Sequence, residues 1–127
     1  MERYLIDTNV ISDYFSDSFP SSGMTFMDSV LSDIPNLSVI TQIELLSWKT
    51  NEKTEQSVVD FVNDSMILGI NPKIVALCVK LRKIKKIKTP DAIIAATALA
   101  HSYRLVTNNE KDFAGIANLK IVNPHKI

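Results

Sequence analysis

Four carboxylates are spaced along the sequence so that an alternating strand–helix fold would bring them together. Each stands where a predicted strand ends or a predicted helix begins, and open α/β sheets place their active sites at such positions. Close carboxylates repel: at about 4 Å and an effective dielectric near 20, one pair costs about 4 kcal/mol. A cluster of them therefore predicts a bound divalent cation or strongly raised pKa values. The four residues are Asp7, Glu44, Asp91 and Asp112.

The first two acids also have an ordinary structural explanation. Asp7 follows a short, largely apolar segment, so it could mark the end of a strand or cap the following helix. Thr41 and Glu44 have the spacing of a capping box, in which two side chains satisfy each other's backbone donors. A carboxylate at either place would also reach the carboxyl end of a central strand, so both acids are candidates for catalysis and metal binding.

The other two acids are ambiguous in the same way. Asp91 follows Thr89-Pro90, in which threonine suits an N-cap and proline suits the first helical position. The helix after it looks internal, however, and an isolated buried carboxylate is expensive. Asp112 lies in a polar segment that would ordinarily form a loop after a strand. In that segment Thr107 and Asn108 could hold a carboxylate or a metal-bound water through their side chains.

The types of side chain in this set favour a hard cation. Oxygen ligands without a histidine or cysteine partner suit Mg²⁺ or Mn²⁺ rather than zinc. Mg²⁺ keeps several of its waters, one of which can become a nucleophile while the ion neutralises charge at phosphorus. The sequence therefore predicts a Mg²⁺ or Mn²⁺ site that cuts phosphodiesters.

The composition predicts one soluble, cytoplasmic domain. The 127 residues suffice for one core, so we expect a single domain over 1–127. Hydrophobic residues make up 46% of the chain, which lies in the globular range. The lone cysteine, Cys78, excludes a disulfide framework and fits a reducing cytosol. The start of the sequence does not resemble a signal peptide, and the longest apolar run, 92–100, is too short to span a bilayer.

The charge of the chain is unevenly distributed. Its net value is zero, which argues mildly against binding nucleic acid by bulk charge. Six basic residues nevertheless crowd together just before Asp91. They could be solvated cations at the end of a helix or a rim that holds phosphate beside the acidic pocket, and the two interpretations are compatible. The cluster contains Lys80, Arg82, Lys83, Lys85, Lys86 and Lys88, of which the last four are the candidates for binding RNA.

The hydrophobic periodicity predicts strands that alternate with helices, and hence a parallel sheet covered on both faces. A loop rich in serine, proline and glycine is expected over 16–23. The predicted strands are 3–6, 37–40, 66–70, 104–106 and 119–122, and the predicted helices are 8–14, 24–34, 41–48, 53–64, 73–85, 91–101 and 112–117.

Four segments together resemble the PIN domain family, specifically the VapC-type toxins of bacterial toxin–antitoxin pairs. The segments are Tyr-Leu-Ile-Asp-Thr-Asn ending at Asn9, Thr-Gln-Ile-Glu-Leu-Leu from Thr41, Thr-Pro-Asp-Ala-Ile-Ile-Ala-Ala-Thr-Ala from Thr89, and Leu-Val-Thr-Asn-Asn-Glu-Lys-Asp-Phe ending at Phe113. Length, motif order and spacing all fit, and the resemblance covers essentially the whole chain.

The resemblance implies a three-layer α/β/α fold with a parallel sheet of about five strands and a metal-dependent endoribonuclease activity. It maps the family's acidic quartet onto the four acids, with Asn9, Thr107 and Asn108 in support. It further implies a structured RNA substrate, tRNA in several relatives, a homodimer, and a small antitoxin whose tail enters the acidic groove. The helix after the 16–23 loop could supply an apolar dimer face or could belong to the core.

Two other classes of function remain open on the sequence alone. A phosphatase of the dehalogenase type needs Asp-x-Asp after the first strand, where this chain has Asp7-Thr8-Asn9, and a receiver domain needs an acid after the third strand, where it has Gly69-Ile70-Asn71. A non-catalytic module that grips a basic peptide is also compatible. Attack by a 2′-hydroxyl fits poorly, because the histidines are limited to His101 and His125.

Overall fold

The structure, a computed structural model, describes residues 2–127 and contains a parallel sheet between two layers of helices. The strands are β1 (Tyr4–Ile6), β2 (Asn36–Ser38), β3 (Met66–Leu68), β4 (Arg104–Val106) and β5 (Ile121–Val122). The helices are α1 (Thr8–Phe15), α2 (Ser21–Leu31), α3 (Val39–Leu46), α4 (Glu52–Asn63), α5 (Pro72–Ile84), α6 (Thr89–His101) and α7 (Glu110–Phe113), followed by a 3₁₀ turn at Pro124–Lys126. The predicted fold class is confirmed.

The order of the strands creates a crevice at one place on the sheet. The order is β3-β2-β1-β4-β5 and every pairing is parallel. The chain moves from β1 toward β2 and β3, then crosses back to β4 and continues outward to β5. The direction of winding therefore reverses between β1 and β4, and ligands of doubly wound sheets bind outside the carboxyl ends of the strands at such a point.

The two faces of the sheet carry separate cores because successive side chains of a strand point to opposite faces. Leu5 and Leu105 pack with α5, α6 and the region of Phe113. Ile6 and Val106, their neighbours in sequence, pack with α1 to α4. The apolar helix α6 is buried over most of its surface, as its composition predicted. β1 and β4 are thus packed against helices on both faces of the sheet. This packing fixes the positions of the residues that follow them.

Several predicted boundaries are wrong, among them both ends of α2. Serine and glycine suggested a loop over 16–23, but the helix begins at Ser21 and ends at Leu31, short of the predicted end at residue 34. Gly23 is buried in this helix because the chain at Pro124 passes directly over it. Its role is close packing rather than a turn. Met27 is fully buried, so this part of the proposed dimer face is core.

The start of α3 is also earlier than predicted. Ser38 is the N-cap, and its hydroxyl accepts a hydrogen bond from the Ile40 amide at 3.1 Å. Thr41 is therefore an internal, buried residue of the helix, and the capping box with Glu44 does not form. The Glu44 carboxylate is therefore not used to cap the backbone of α3 and is available for other contacts.

The other corrections are also at the ends of elements. β1 covers Tyr4–Ile6 instead of 3–6, β2 covers Asn36–Ser38 instead of 37–40, and β3 covers Met66–Leu68 instead of 66–70. Lys88, not Thr89, occupies the N-cap position of α6. The seventh helix covers Glu110–Phe113 instead of 112–117, and β5 contains Ile121–Val122 instead of 119–122. Ile84, at the end of α5, is 69% exposed. Within residues 2–127, no helix has both the length and the hydropathy that crossing a membrane requires.

Candidate active site

Asp7 lies at the centre of the site, directly after β1 at the reversal point of the sheet. It is buried, with 4% of its surface exposed, and it is the N-cap of α1. Three donors reach its carboxylate: the Thr8 amide at 2.8 Å, the Thr107 hydroxyl at 2.8 Å and the Asn9 side-chain amide at 3.2 Å. Both central strands and the first turn of α1 therefore hold this carboxylate in one orientation.

The pKa of Asp7 is raised from its ordinary value of 3.8 to about 6. Burial is the main cause, and the negative charges of Asp91 and Glu44 add to it. The hydrogen bonds from Thr107 and Thr8 act in the opposite direction because they stabilise the ionised form. Asp7 is thus a buried acid that the fold holds in place at an electrostatic cost, which is a common property of functional sites.

Asp91 lies half-buried in the first turn of α6, and the charges of other acids affect its pKa. Its pKa is raised first by burial and then by the charges of Asp112 and Glu44, while Lys88 lowers it. Coulombic coupling of this kind acts over short distances. Asp91 thus interacts with Asp7, Glu44 and Asp112 through charge, which indicates that the four acids lie near one another in the fold.

Glu44 on α3 and Asp112 on α7 are both exposed. The Thr8 hydroxyl donates to Glu44 Oε1 at 2.6 Å, and its oxygen lies 3.1 Å from the hydroxyl oxygen of Thr41. Asp112 accepts a hydrogen bond from the Asn109 side-chain amide at 2.8 Å. Both carboxylates thus have a protein partner, but neither is locked by burial.

The loop after β4 contacts Asp7 directly through the Thr107 hydroxyl and indirectly through Asn108 and Asn9. Thr107 is fully buried, and its oxygen also accepts a hydrogen bond from the Asn109 amide at 3.0 Å. The backbone amide of Asn108 donates to Asn9 Oδ1 at 3.4 Å. Asn9 therefore bridges this loop and Asp7. Of the three predicted supporting residues, Asn9 and Thr107 contact the central acid, whereas the Asn108 side chain contacts Asp13.

Sequence reasoning missed three residues of this neighbourhood. Thr8 contacts Glu44, and its position between Asp7 and Asn9 was the available signal. Asp13 accepts hydrogen bonds from the Asn108 side chain at 2.7 Å and from His125 Nε2 at 2.9 Å. No local sequence pattern predicts the contact between Asp13 and His125, because 112 positions separate the two residues.

The donor set fits a hard divalent cation by its chemistry, since it offers carboxylate oxygens, amide and hydroxyl oxygens, and no thiolate. Within residues 2–127, however, no three acidic, imidazole or thiol side chains already lie close enough to hold one ion. Glu44 is turned toward Thr8 and Asp112 toward Asn109. Ligation by all four would therefore require rotamer changes, which exposed side chains make rapidly.

The basic cluster meets the acids at one point. Lys88 precedes α6 and is close enough to lower the pKa of Asp91. Arg82 is used structurally, because its Nε donates to the carbonyl of Ile87 at 3.3 Å. Lys83 and Lys86 are exposed and Lys85 is half-buried. The clefts lined by Glu2 and Arg3 lie at the other edge of the sheet and contain none of the four acids.

Comparison with known proteins agrees with this arrangement. The family model of the PIN domain matches residues 4–119. A chain of a toxin–antitoxin complex from Klebsiella pneumoniae is 33% identical, with a TM-score of 0.76, and the alignment covers 98% of this chain and 99% of that one. No curated protein gives a significant match.

Two further structures are similar over nearly their full length. One is VapBC2 from Rickettsia felis bound to a DNA fragment from their promoter, with 27% identity, a TM-score of 0.77 and coverage of 94% and 97%. The other is FitAcB from Neisseria gonorrhoeae, with 26% identity, a TM-score of 0.78 and coverage of 98% and 99%. The extent of the family match and the identity to these chains lead to one conclusion: the chain belongs to the PIN domain family, and within it to the VapC type.

Proposed function

We propose that the protein is a Mg²⁺- or Mn²⁺-dependent endoribonuclease toxin of the cytoplasm, with residues 1–127 acting as one domain. One observation carries the proposal: Asp7, at the reversal point of the sheet, is buried and held by three donors although the charges of Asp91 and Glu44 raise its pKa further. Burying an acid among other acids is unfavourable without a positive partner. The cost is accounted for if the site binds a cation.

Asp7, Glu44, Asp91 and Asp112 are the proposed ligands of that cation. A bound divalent ion supplies Lewis acidity, which activates water and neutralises charge that develops on the phosphate. Asp7 provides the fixed position, because its three donors leave one orientation for the carboxylate. Asn9 and Thr107 maintain that orientation directly, and Asn108 maintains it through Asn9.

The RNA is proposed to enter past the end of α5 and the start of α6. The last turn of α5 and the segment that joins it to α6 carry the four candidate lysines, Lys83, Lys85, Lys86 and Lys88. Lys88 is close enough to Asp91 to lower its pKa. Cations next to an acidic centre can hold the phosphates that flank the bond being cut. A plot of log K against log salt has a negative slope. For single-stranded RNA, each lost phosphate contact makes this slope less steep by about 0.7. Lys86→Ala and Lys88→Ala should show this change in filter binding, and Lys73→Ala, on the first turn of α5, serves as the control.

A cognate antitoxin is the proposed inhibitor. An acidic pocket favours an arginine, whose guanidinium can bind a carboxylate through two hydrogen bonds. We expect an antitoxin segment with such an arginine to occupy the site and exclude RNA. Full inhibition by an antitoxin whose arginines are replaced by alanine would contradict this part of the proposal.

A homodimer is proposed from the family. The chain offers exposed apolar pairs for it, Ile43 with Leu46 on α3 and Val75 with Val79 on α5, each about half exposed. Light scattering of Ile43→Glu and Val79→Glu will identify the pair that matters. A monomeric wild-type protein at micromolar concentration would contradict the dimer.

The test of the proposed reaction is the chemistry of the products. Purified, antitoxin-free protein is incubated with total bacterial RNA and Mg²⁺ or Mn²⁺, and the ends of the fragments are mapped. Attack by water predicts 5′-phosphate and 3′-hydroxyl ends and no cleavage in EDTA. A 2′,3′-cyclic phosphate, or cleavage that persists in EDTA, would overturn the mechanism, while binding of basic peptides without any cleavage would favour the binding-module alternative.

A further inference from the structure

The last residues of the described chain fold back onto the active-site loop. We use "tail segment" for residues 123–127, which contain the 3₁₀ turn Pro124–Lys126. His125 Nε2 lies 2.9 Å from Asp13 Oδ2, and the same oxygen accepts the side-chain amide of Asn108 at 2.7 Å. Because an ionised carboxylate only accepts, His125 must carry its proton on Nε2 in this contact.

Asp13 therefore joins two distant parts of the chain. On one side it holds the tail segment, and on the other it holds Asn108, whose backbone amide contacts Asn9. Asn9 and the neighbouring Thr107 both donate to the Asp7 carboxylate. A continuous path of hydrogen bonds thus leads from the tail segment to the central acid, although the tail segment contains none of the four acids.

The tail segment is fastened at several further points. The Asn123 side chain and Lys126 both contact Glu110 Oε2, at 3.1 and 2.6 Å. The rings of His125 and Phe19 pack against each other with their centroids 4.6 Å apart and their planes tilted by 42°. The Ser22 hydroxyl donates to the carbonyl of Ile127 at 2.5 Å.

Gly23 shows how closely the tail segment lies on α2. A methyl group at this position would collide with the carbonyl oxygen of Pro124. A helix is more stable with alanine than with glycine in its interior. Glycine at position 23 therefore makes room for the tail segment and does not stabilise α2 itself. A side chain at residue 23 would therefore displace the tail segment from its position on α2.

We propose that the tail segment is a latch and that Asp13 and His125 are positioning residues of the active site. With the latch closed, Asp13 fixes Asn108 and thereby the loop that presents Thr107 to Asp7. With the latch open, this loop loses its anchor on the α1 side, and the donors that orient Asp7 are less ordered. The effect on cleavage rests on the proposed nuclease function, whereas the ordering of the loop does not.

Two measurements test the latch separately. The first is amide hydrogen exchange of the metal-free protein over 104–113, which does not depend on activity. We expect faster exchange at Asn108 and Asn109 in His125→Ala and in Gly23→Ala than in wild type. His101→Ala, at the far end of α6, and Thr25→Ala, an exposed residue of α2, are the matched controls and should exchange like wild type.

The second measurement is the rate of RNA cleavage, with total bacterial RNA and Mn²⁺ as the probe. His125→Ala should lower kcat about tenfold with little change in KM, as is usual when a group behind a ligand is removed. Asp13→Ala should lower kcat at least as much, because it removes both contacts. His125→Gln should recover most of the rate, since its amide nitrogen is the same number of bonds from Cα as Nε2.

A purely structural role would give a different pattern. Val58→Ala, at a buried position of α4, should lower the melting temperature without lowering kcat at 25 °C. Unchanged exchange over 104–113 in both His125→Ala and Gly23→Ala overturns the latch. Faster exchange with unchanged kcat overturns the positioning role. If wild-type protein cleaves no RNA, the proposed function fails, and the exchange data still decide whether the latch orders the loop.

Discussion

Replacing Asp7 by asparagine should stabilise the metal-free protein at neutral pH, although it should abolish the proposed activity. The carboxylate of Asp7 is buried, and its pKa is raised from 3.8 to about 6. A group whose pKa is higher in the folded state binds its proton more tightly there, so stability falls as pH rises through the interval between the two values. The difference of about two pKa units corresponds to about 3 kcal/mol.

The hydrogen bonds of Asp7 reduce this gain but not its dependence on pH. Asparagine is as good an N-cap as aspartate, and the Thr107 hydroxyl can turn to accept from the new amide. The Asn9 amide then loses an acceptor, at a cost of about 1 kcal/mol. We therefore expect Asp7→Asn to be more stable than wild type by about 2 kcal/mol at pH 8. This advantage should fall as the pH drops and reverse near pH 4, where wild type should be more stable by up to about 1 kcal/mol.

The assay is urea unfolding in EDTA at pH 4, 5, 6, 7 and 8, followed by circular dichroism. Asp33→Asn, an exposed acid between α2 and β2, is the control and should follow wild type at every pH. Since Asp7 is coupled to Asp91 and Glu44, the midpoint belongs to the cluster and not to one residue. An Asp7→Asn protein that is no more stable than wild type at pH 8, or a difference that does not change with pH, would refute the account of a strained, uncompensated acid.

Three further predictions concern the supports of the site and the fold. Thr107→Val removes a hydrogen-bond donor to ionised Asp7, so the pKa of Asp7 should rise further. The acidic limb of the cleavage–pH profile should then move to higher pH, and kcat should fall about 10- to 100-fold. An unchanged pH profile would contradict the role of the Thr107 hydroxyl. Mn²⁺ at 100 times its Kd should stabilise wild type by about 2.7 kcal/mol in a thermal melt, and equal stabilisation of Asp7→Asn would place the ion elsewhere. Ser38→Ala should lower the free energy of unfolding by about 1 kcal/mol through loss of the α3 cap, whereas Ser57→Ala, exposed on α4, should have little effect in the same urea titration.

The site was predictable from sequence to the extent that it follows from strand ends. Asp7 and Thr107 directly follow the two central strands, and parallel strands that end at one edge bring such residues together whatever the loops do. Asp91 was predictable for a similar reason, because Pro90 marks the start of a helix. The alternation of short apolar segments with helical periodicity was enough for the fold class.

The errors arose where tertiary contacts override local patterns. Gly23 suggested a turn, but the helix contains it because Pro124 passes over its backbone. Thr41 and Glu44 matched a capping box, yet Ser38 was equally suited to the cap, and the helix starts there. The contact of Asp13 with His125 joins the two ends of the chain, so no window along the sequence could contain it.

The most direct test of the central claim is the rate of RNA cleavage by wild type and Asp7→Asn, side by side, with Mn²⁺ and with EDTA. Both proteins are purified free of antitoxin, and their folded state is checked by the urea titration above. We predict discrete fragments from wild type with Mn²⁺ alone, and none from the more stable but inactive Asp7→Asn. Cleavage by Asp7→Asn at the wild-type rate would contradict the assignment of this carboxylate cluster as the catalytic centre.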